Sequence, residues 1–127
     1  MISTKRNQKQ YSNVVLDHYR NPRNFGKLEK STHTADMLNP LCGDEITVYL
    51  KIENSKIENC RYEARGCALS IAAASMLAER IANRELRIES LARLGKSDIE
   101  EMLGIHVSPA RESCITLVLN AIKKALI

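Results

Sequence analysis

Residues 46–82, which read ITVYLKIENSKIENCRYEARGCALSIAAASMLAERIA, decide the fold of this chain. Residues 46–52 alternate apolar and polar side chains and are rich in β-branched types, which is typical of a strand with one buried face. Residues 53–56 have turn composition, and residues 57–64 form a returning strand. The alanine-rich segment that follows a glycine and a cysteine predicts a helix over residues 70–82. A β-hairpin followed directly by a helix is therefore the centre of the fold.

The flanking sequence adds one strand and several helices. Residues 31–38 have weak strand character, and an amphipathic helix is predicted from Tyr11 to a turn at residues 21–26, where Asn-Pro and Gly end it. Downstream, a short helix is predicted over residues 88–94. A further helix begins at Ser97, where Ser and Glu three residues apart form a capping box, and it ends at the glycine after Leu103.

The last helix is predicted to begin at Ser108-Pro109, a capping residue followed by Pro at the first helical position. It has one apolar stripe, which consists of Cys114, Leu117, Val118, Ala121, Ile122 and Ala125. The predicted fold is α+β, a small three-stranded antiparallel sheet packed on one face by helices. It occupies a single domain over residues 11–127, behind a flexible tail at residues 1–10.

Composition excludes several classes of function. The 127 residues carry a net charge of +4, but the basic residues are dispersed, and one Phe, four Tyr and no Trp leave no basic–aromatic stripe for nucleic acid. No run of about 18 apolar residues is present, so no membrane span is expected. The polar start predicts no secretory signal. We therefore expect a cytoplasmic protein, in which cysteines act as ligands or nucleophiles rather than forming disulfides.

Three of the four cysteines lie where secondary structure changes. Cys42 lies in a loop before a strand, Cys67 follows a glycine at a strand-to-helix junction, and Cys114 lies in the first turns of the last helix. Such positions are expected to present side chains outward, and helix starts lower the pKa of a thiol. Cys60, inside a strand, is interpreted as structural.

A carboxylate accompanies the first of these cysteines. Asp44 follows Cys42 with only a glycine between them, so both side chains can face one point. With Cys67 and Cys114 they form a set of four ligands suited to zinc or, with a weaker hold, to an iron–sulfur cluster. Spacing alone leaves the alternative that these cysteines are small buried apolar residues.

Four motifs in order resemble one known family. They are VVLDHYRNPRNFG at 14–26, NPLCGD at 39–44, GCALSIAAAS at 66–75 and PARESCITL at 109–117. They are similar to the iron–sulfur cluster scaffold proteins, which include IscU, SufU and the N-terminal domain of NifU. The resemblance extends from about residue 11 to the C-terminus.

The resemblance implies a function and a site. Cys42, Asp44, Cys67 and Cys114 match the residues that hold a [2Fe–2S] cluster, and zinc is an alternative occupant of the same site. Such scaffolds are not enzymes. They accept sulfur from a cysteine desulfurase of the IscS, SufS or NifS type, assemble the cluster and transfer it to acceptor apoproteins. A zinc-dependent sulfurtransferase partner, as in SufU, is the alternative function, and either Cys114 or Cys42 accepts the persulfide.

Departures from the family leave two further points open. Ser113 stands where IscU has a histidine, and the absence of that histidine is SufU-like. Only 46 residues separate Cys67 from Cys114, however, so the long SufU insertion is missing. Residues 107–111 replace the Leu-Pro-Pro-Val-Lys segment that IscU presents to its Hsp70-type chaperone, which argues against that partner. The resting metal and the oligomeric state, a homodimer included, stay open.

Four other residues receive secondary interpretations. His106 is interpreted as a solvated loop residue, with ligation as the alternative. His18 is expected to pack against or cap the turn at residues 21–26. Lys96 and Arg111 are either ordinary surface charges or neighbours of the site that stabilise thiolates.

Overall fold

The first helix begins at a side-chain cap. The computed structural model describes residues 12–127, so the predicted tail at residues 1–10 and the predicted helix start at Tyr11 lie outside the described range. Helix α1 spans Asn13–Arg20, and the Ser12 hydroxyl accepts the N–H of Val15 at 3.1 Å. The same hydroxyl donates to the carbonyl of Leu103 at 2.6 Å, which ties the start of α1 to a distant helix.

Three strands form the sheet. They are β1 (His33–Asn39), β2 (Asp44–Glu53) and β3 (Lys56–Arg65), antiparallel in the order β1-β2-β3. Asn54 and Ser55, both with positive φ, join β2 to β3 in the two-residue turn that matches strand twist. The predicted three-stranded antiparallel sheet is therefore confirmed.

The helices that follow the sheet lie where the sequence predicts them, with starts or ends that differ by a few residues. They are α2 (Ala68–Ala82), α3 (Ile88–Arg93), α4 (Lys96–Leu103) and, after a 3₁₀ turn at Pro109–Arg111, α5 (Glu112–Leu126). Helix α2 begins two residues earlier than predicted, because Cys67 itself is extended and serves as its N-cap.

The capping box predicted at Ser97 and Glu100 is wrong. Gly95 is the N-cap of α4, and its N–H donates to Asp98 Oδ2 at 2.8 Å. Glu100 instead lies inside α4 and accepts the N–H of Val107 at 2.8 Å, which fixes the loop after the helix. The chain thus uses the carboxylate nearer to the glycine for capping and the farther one for a tertiary contact.

Among residues 12–127, the helices that contact the sheet pack on one face of it, as predicted. Helix α2 packs on β3, α5 packs on β1 and β2, and the two helices pack on each other. Along β2 the side chains of Ile46, Val48 and Leu50 are buried, while those between them are partly exposed. The stripe predicted on α5 is buried throughout. The core therefore lies between the sheet and these two helices.

The turn after α1 protects the free edge of β3. The N–H of Gly26 donates to the carbonyl of Tyr62 at 2.7 Å, and the N–H of Tyr62 donates to the carbonyl of Asn24 at 3.3 Å. The Phe25 ring packs edge-on against Tyr62 with centroids 5.3 Å apart. Pairing of this kind blunts an edge strand that would otherwise be open to association.

The hydrogen-bond register brings four chain segments to one end of the sheet. Asn39 of β1 pairs with Asp44 of β2, and Glu45 pairs with Arg65 at the end of β3. Because Cys67 precedes α2 and lies two residues after Arg65, the β1–β2 turn and the start of α2 are neighbours.

Among the described residues, no helix has the length and apolar character needed to cross a membrane.

Candidate metal centre

The turn between β1 and β2 positions Cys42. The carbonyl of Asn39 accepts the N–H groups of Cys42 at 3.3 Å and Gly43 at 2.7 Å, and its side-chain Oδ1 accepts the N–H of Leu41 at 3.2 Å. Gly43 has a φ of +75°, a backbone conformation that residues with a side chain rarely adopt. Asn39 Nδ2 donates to Ser113 Oγ at 3.0 Å, so one asparagine organises the turn and joins it to the start of α5.

Asp44, the first residue of β2, is buried with 1% of its surface exposed. Its Oδ1 accepts the N–H of Cys67 at 3.1 Å, and its Oδ2 accepts the hydroxyl of Ser70 at 2.7 Å. A Cβ on Gly66 would collide with the Asp44 carboxylate. The carboxylate thus lies directly at the N-terminus of α2, where unpaired N–H groups favour a negative charge.

Cys114 lies beneath the exposed Cys42. It is the third residue of α5 and has no exposed surface, and its Sγ is 3.6 Å from Cys42 Sγ. Burial, followed by the neighbouring thiols of Cys42 and Cys67, raises the pKa of Cys114 to about 12. The expectation of an outward-facing thiol with a lowered pKa is therefore wrong for Cys114, because the β1–β2 turn covers this helix start.

Three of the four predicted ligands converge on one point. One ligand atom from each of Cys42, Asp44 and Cys114 lies within 4.8 Å of the other two. Cys67 lies at the margin of this group, with its Sγ 4.0 Å from Asp44 Oδ2 and 3.5 Å from Ser70 Oγ. Cys42 is exposed and Asp44 and Cys114 are buried, so the group opens to solvent on the side of Cys42.

The distances suit tetrahedral coordination. Zinc–sulfur bonds of about 2.3 Å place two sulfurs of a tetrahedron about 3.8 Å apart, and a sulfur and a carboxylate oxygen about 3.5 Å apart. The observed separations are 3.6 Å for Cys42 and Cys114 and 4.0 Å for Cys67 and Asp44. The donor types of Cys42, Asp44 and Cys114 suit a zinc or iron ion, and Cys67 lies at the margin of this group.

Two of the remaining candidates, His106 and Lys96, lie near Glu100. The His106 side chain is 96% exposed, and its Nδ1 is 3.8 Å from Glu100, so the prediction of a solvated loop residue is confirmed. Lys96 Nζ is 4.0 Å from the same carboxylate. Arg111 ends the 3₁₀ turn before α5, three residues from Cys114.

Two structural predictions are confirmed by burial. Cys60 is buried in β3, and desolvation raises the pKa of its thiol to about 12, as suits an unreactive core residue. His18 Nδ1 is 2.7 Å from Ser75 Oγ, which also accepts the N–H of Arg23 at 2.9 Å. His18 therefore packs at the turn after α1, as expected.

Three residues that shape the site were not among the predicted site residues. Gly66 admits the Asp44 carboxylate, Ser70 binds it, and Asn39 holds the turn of Cys42. Asn39-Pro40 is a known signal for a turn closed by an asparagine side chain. Ser70 has no such signal, because a serine in the first turn of a helix is common whatever it contacts.

Comparison with known proteins gives one consistent answer. The family model described as the NifU-like N-terminal domain matches residues 10–127. The zinc-dependent sulfurtransferase SufU of Bacillus subtilis is 36% identical over 131 aligned positions, which cover 91% of this chain and 88% of that protein. The iron–sulfur cluster assembly scaffold protein IscU 1 of Archaeoglobus fulgidus is 33% identical, with 92% and 74% covered.

A solved structure shares the fold. The SufU crystal structure from Fervidobacterium islandicum superposes with a TM-score of 0.74, covers 92% of this chain and 96% of its own, and is 23% identical. The alignment with the Bacillus protein is longer than the 127 residues of this chain, so that protein carries residues that this chain lacks.

Proposed function

Because the chain belongs to the NifU-like N-terminal domain family, we propose that it is an iron–sulfur cluster assembly scaffold. It accepts sulfur from a cysteine desulfurase, assembles a [2Fe–2S] cluster and transfers the cluster to acceptor apoproteins. The observation that carries the proposal is the convergence of ligand atoms of Cys42, Asp44 and Cys114 within 4.8 Å of one another, with Cys42 exposed.

The proposed ligands are Cys42, Asp44, Cys67 and Cys114. Three thiolates and one carboxylate hold a cluster less firmly than four thiolates, since oxygen is the harder donor and most clusters are held by thiolates alone. A weak fourth ligand suits a protein that must release what it assembles. Asp44 is therefore the ligand that we expect to limit the lifetime of the cluster.

Sulfur enters through Cys42 in this proposal. Cys42 is exposed, whereas Cys114, the other candidate acceptor, is buried and its thiol pKa is raised. The Cys42 thiolate attacks the outer sulfur of the persulfide on the desulfurase. A new S–S bond forms, the old S–S bond breaks, and the desulfurase cysteine leaves as a thiolate. Cys114 is 3.6 Å away and is the next thiol that this sulfur can reach.

A zinc-dependent sulfurtransferase is the second candidate function. Two observations favour it. A SufU protein is among the relatives, and the residue before Cys114 is Ser113, which has no nitrogen ligand to offer. The same four residues would hold zinc, which supplies a positive charge that stabilises thiolates near neutral pH. Sulfur transfer would then be the activity of the protein itself rather than a step in cluster assembly.

The proposal includes partners and a compartment. The partners are a cysteine desulfurase of the IscS, SufS or NifS type and acceptor apoproteins, while residues 107–111 argue against an Hsp70-type chaperone. We place the protein in the cytoplasm, where thiols stay reduced, because Cys42 and Cys114 at 3.6 Å must both remain free thiols to act as ligands.

Metal and sulfide analysis of protein purified without air tests both functions. Iron with near-equal sulfide, or a brown oxygen-sensitive species after reconstitution with iron, sulfide and a desulfurase, supports the scaffold. Stoichiometric zinc without sulfide, together with stimulation of the desulfurase, supports the transferase. Cys60→Ala serves as the control. It removes a buried cysteine outside the group and should take up the metal or cluster as the unmodified protein does. Protein that takes up neither zinc nor a cluster contradicts both functions.

A further inference from the structure

Ser70 contacts more of the site than any motif indicates. It lies in the first turn of α2, where 5% of its surface is exposed. Its hydroxyl is 2.7 Å from Asp44 Oδ2, 3.2 Å from the carbonyl of Cys114 and 3.5 Å from Cys67 Sγ. A single buried hydroxyl thus touches three of the four proposed ligand residues.

These contacts fix the orientation of one carboxylate. Oδ1 of Asp44 is held by the N–H of Cys67, and Oδ2 is held by Ser70, so rotation of the carboxylate would break a hydrogen bond at each oxygen. The bond from Ser70 is the shorter of the two. A hydroxyl has one proton, and the shorter distance indicates that Asp44 receives it in preference to the carbonyl of Cys114.

We propose that Ser70 is a positioning residue that orients Asp44 toward the metal or cluster. The inference rests on the proposed metal-binding function of the site. Groups that hydrogen-bond to a ligand set its direction, and their loss typically weakens metal affinity by 10–100-fold. Ser70 itself contributes no ligand atom. Its hydroxyl makes the buried carboxylate a preorganised donor rather than a side chain that must be turned and desolvated when the metal arrives.

A matched serine on the same helix provides the control. Ser75 is also buried, and its hydroxyl binds His18 and the N–H of Arg23 rather than the ligand residues. Loss of either hydroxyl removes a buried hydrogen bond from α2. Only the loss of Ser70 removes the hydroxyl that binds Asp44 Oδ2, so the pair separates positioning of the ligand from general support of the helix.

Zinc affinity, measured by competition with a chromophoric chelator under anaerobic conditions, tests the proposal. We expect Ser70→Ala to bind zinc about 10–100-fold more weakly than the unmodified protein, and Ser75→Ala to remain within about threefold. Ser70→Thr, which keeps the hydroxyl, should restore affinity to within about threefold. Equal zinc affinity in Ser70→Ala and the unmodified protein overturns the proposal, as does an equal loss in Ser70→Ala and Ser70→Thr.

A double-mutant cycle with Asp44 adds a readout that a structural role would not change. In an Asp44→Ala background, Ser70→Ala should cause no further loss of zinc affinity, because the oriented group is already gone. A further loss as large as that in the unmodified protein overturns positioning through Asp44. If the unmodified protein itself binds no zinc and no cluster, the proposed function fails instead, so the two failures are distinguishable.

Discussion

Two polar clusters, each formed around a buried serine of helix α2, use the same residue type for different purposes. In the site cluster, formed by Cys42, Asp44, Cys67, Ser70 and Cys114, the Ser70 hydroxyl holds a carboxylate beside three thiols that open to solvent at Cys42. In the loop cluster, formed by His18, Arg23, Ser75 and Glu79, the Ser75 hydroxyl joins α1 and the following turn to α2.

The two clusters differ in whether their polar groups are already paired with one another. The loop cluster pairs its groups with one another, with the Arg23 N–H donating to Ser75 and His18 Nε2 lying 3.8 Å from Glu79. The site cluster brings together one carboxylate and three thiols. A cation bound between these groups would stabilise them. Burial of a serine therefore says little about function until the groups around it are known.

The largest expected effect comes from removing Cys42, the exposed proposed ligand of the site cluster. Cys42→Ala should weaken zinc binding by more than about 100-fold, since residues that only orient ligands already contribute 10–100-fold. Cys42 is exposed, so thermal stability of the metal-free protein should change little. Chelator competition and thermal unfolding measure the two effects. Retention of full zinc affinity in Cys42→Ala would remove Cys42 from the ligand set.

Crowding the carboxylate should produce the next largest effect. A Cβ in Gly66→Ala meets the Asp44 side chain, so we expect zinc affinity to fall about 10-fold or more and the free energy of unfolding to fall by about 1–3 kcal/mol. In the control Gly95→Ala the new Cβ has nothing within 4 Å, and zinc affinity should be unchanged. Equal zinc affinities of the two variants would contradict the close approach of Asp44 to Gly66.

The loop cluster should affect stability alone. Ser75→Ala leaves His18 Nδ1 and the N–H of Arg23 without their shared partner, which should lower the free energy of unfolding by about 1–3 kcal/mol. Urea unfolding measures this loss, and zinc affinity should stay within about threefold of the unmodified protein. A large drop in zinc affinity in Ser75→Ala would show that the loop cluster also supports metal binding and is not separate from the site cluster.

The smallest expected effect is a pH dependence in the loop cluster. Burial, reinforced by Arg23, lowers the pKa of His18 below its ordinary value of 6.5, although Glu79 opposes the shift. The unfolded chain therefore takes up a proton before the folded protein does. The stability contributed by neutral His18 is fully present above pH 6.5 and decreases as the pH falls below that value.

Urea unfolding at pH 7.5 and pH 5.5 tests this dependence. His18→Gln should lose less unfolding free energy between the two pH values than the unmodified protein does. His106→Gln, whose side chain is almost fully exposed, is the control and should behave like the unmodified protein. An unchanged pH dependence in His18→Gln would show that His18 is not the titrating group.

Much of the fold could be predicted because its signals are local. The alternation in residues 46–52, the two-residue turn at Asn54-Ser55 and the apolar stripe of α5 each follow from neighbours in sequence. The capping box predicted at Ser97 failed because a second local arrangement competed with it. Glycine is also accepted at an N-cap, and the helix begins after Gly95, whose N–H donates to Asp98.

The sequence by itself marked Cys42, Asp44, Cys67 and Cys114 as candidate ligands, by type and by their place at structural transitions, and left open that the cysteines are small buried apolar residues. Only the tertiary structure decided that Cys114 lies buried under Cys42, that Asp44 occupies the space left by Gly66, and that Ser70 holds it. These contacts join residues 22 to 72 positions apart. They depend on how α2 and α5 pack against the sheet, which no local pattern encodes.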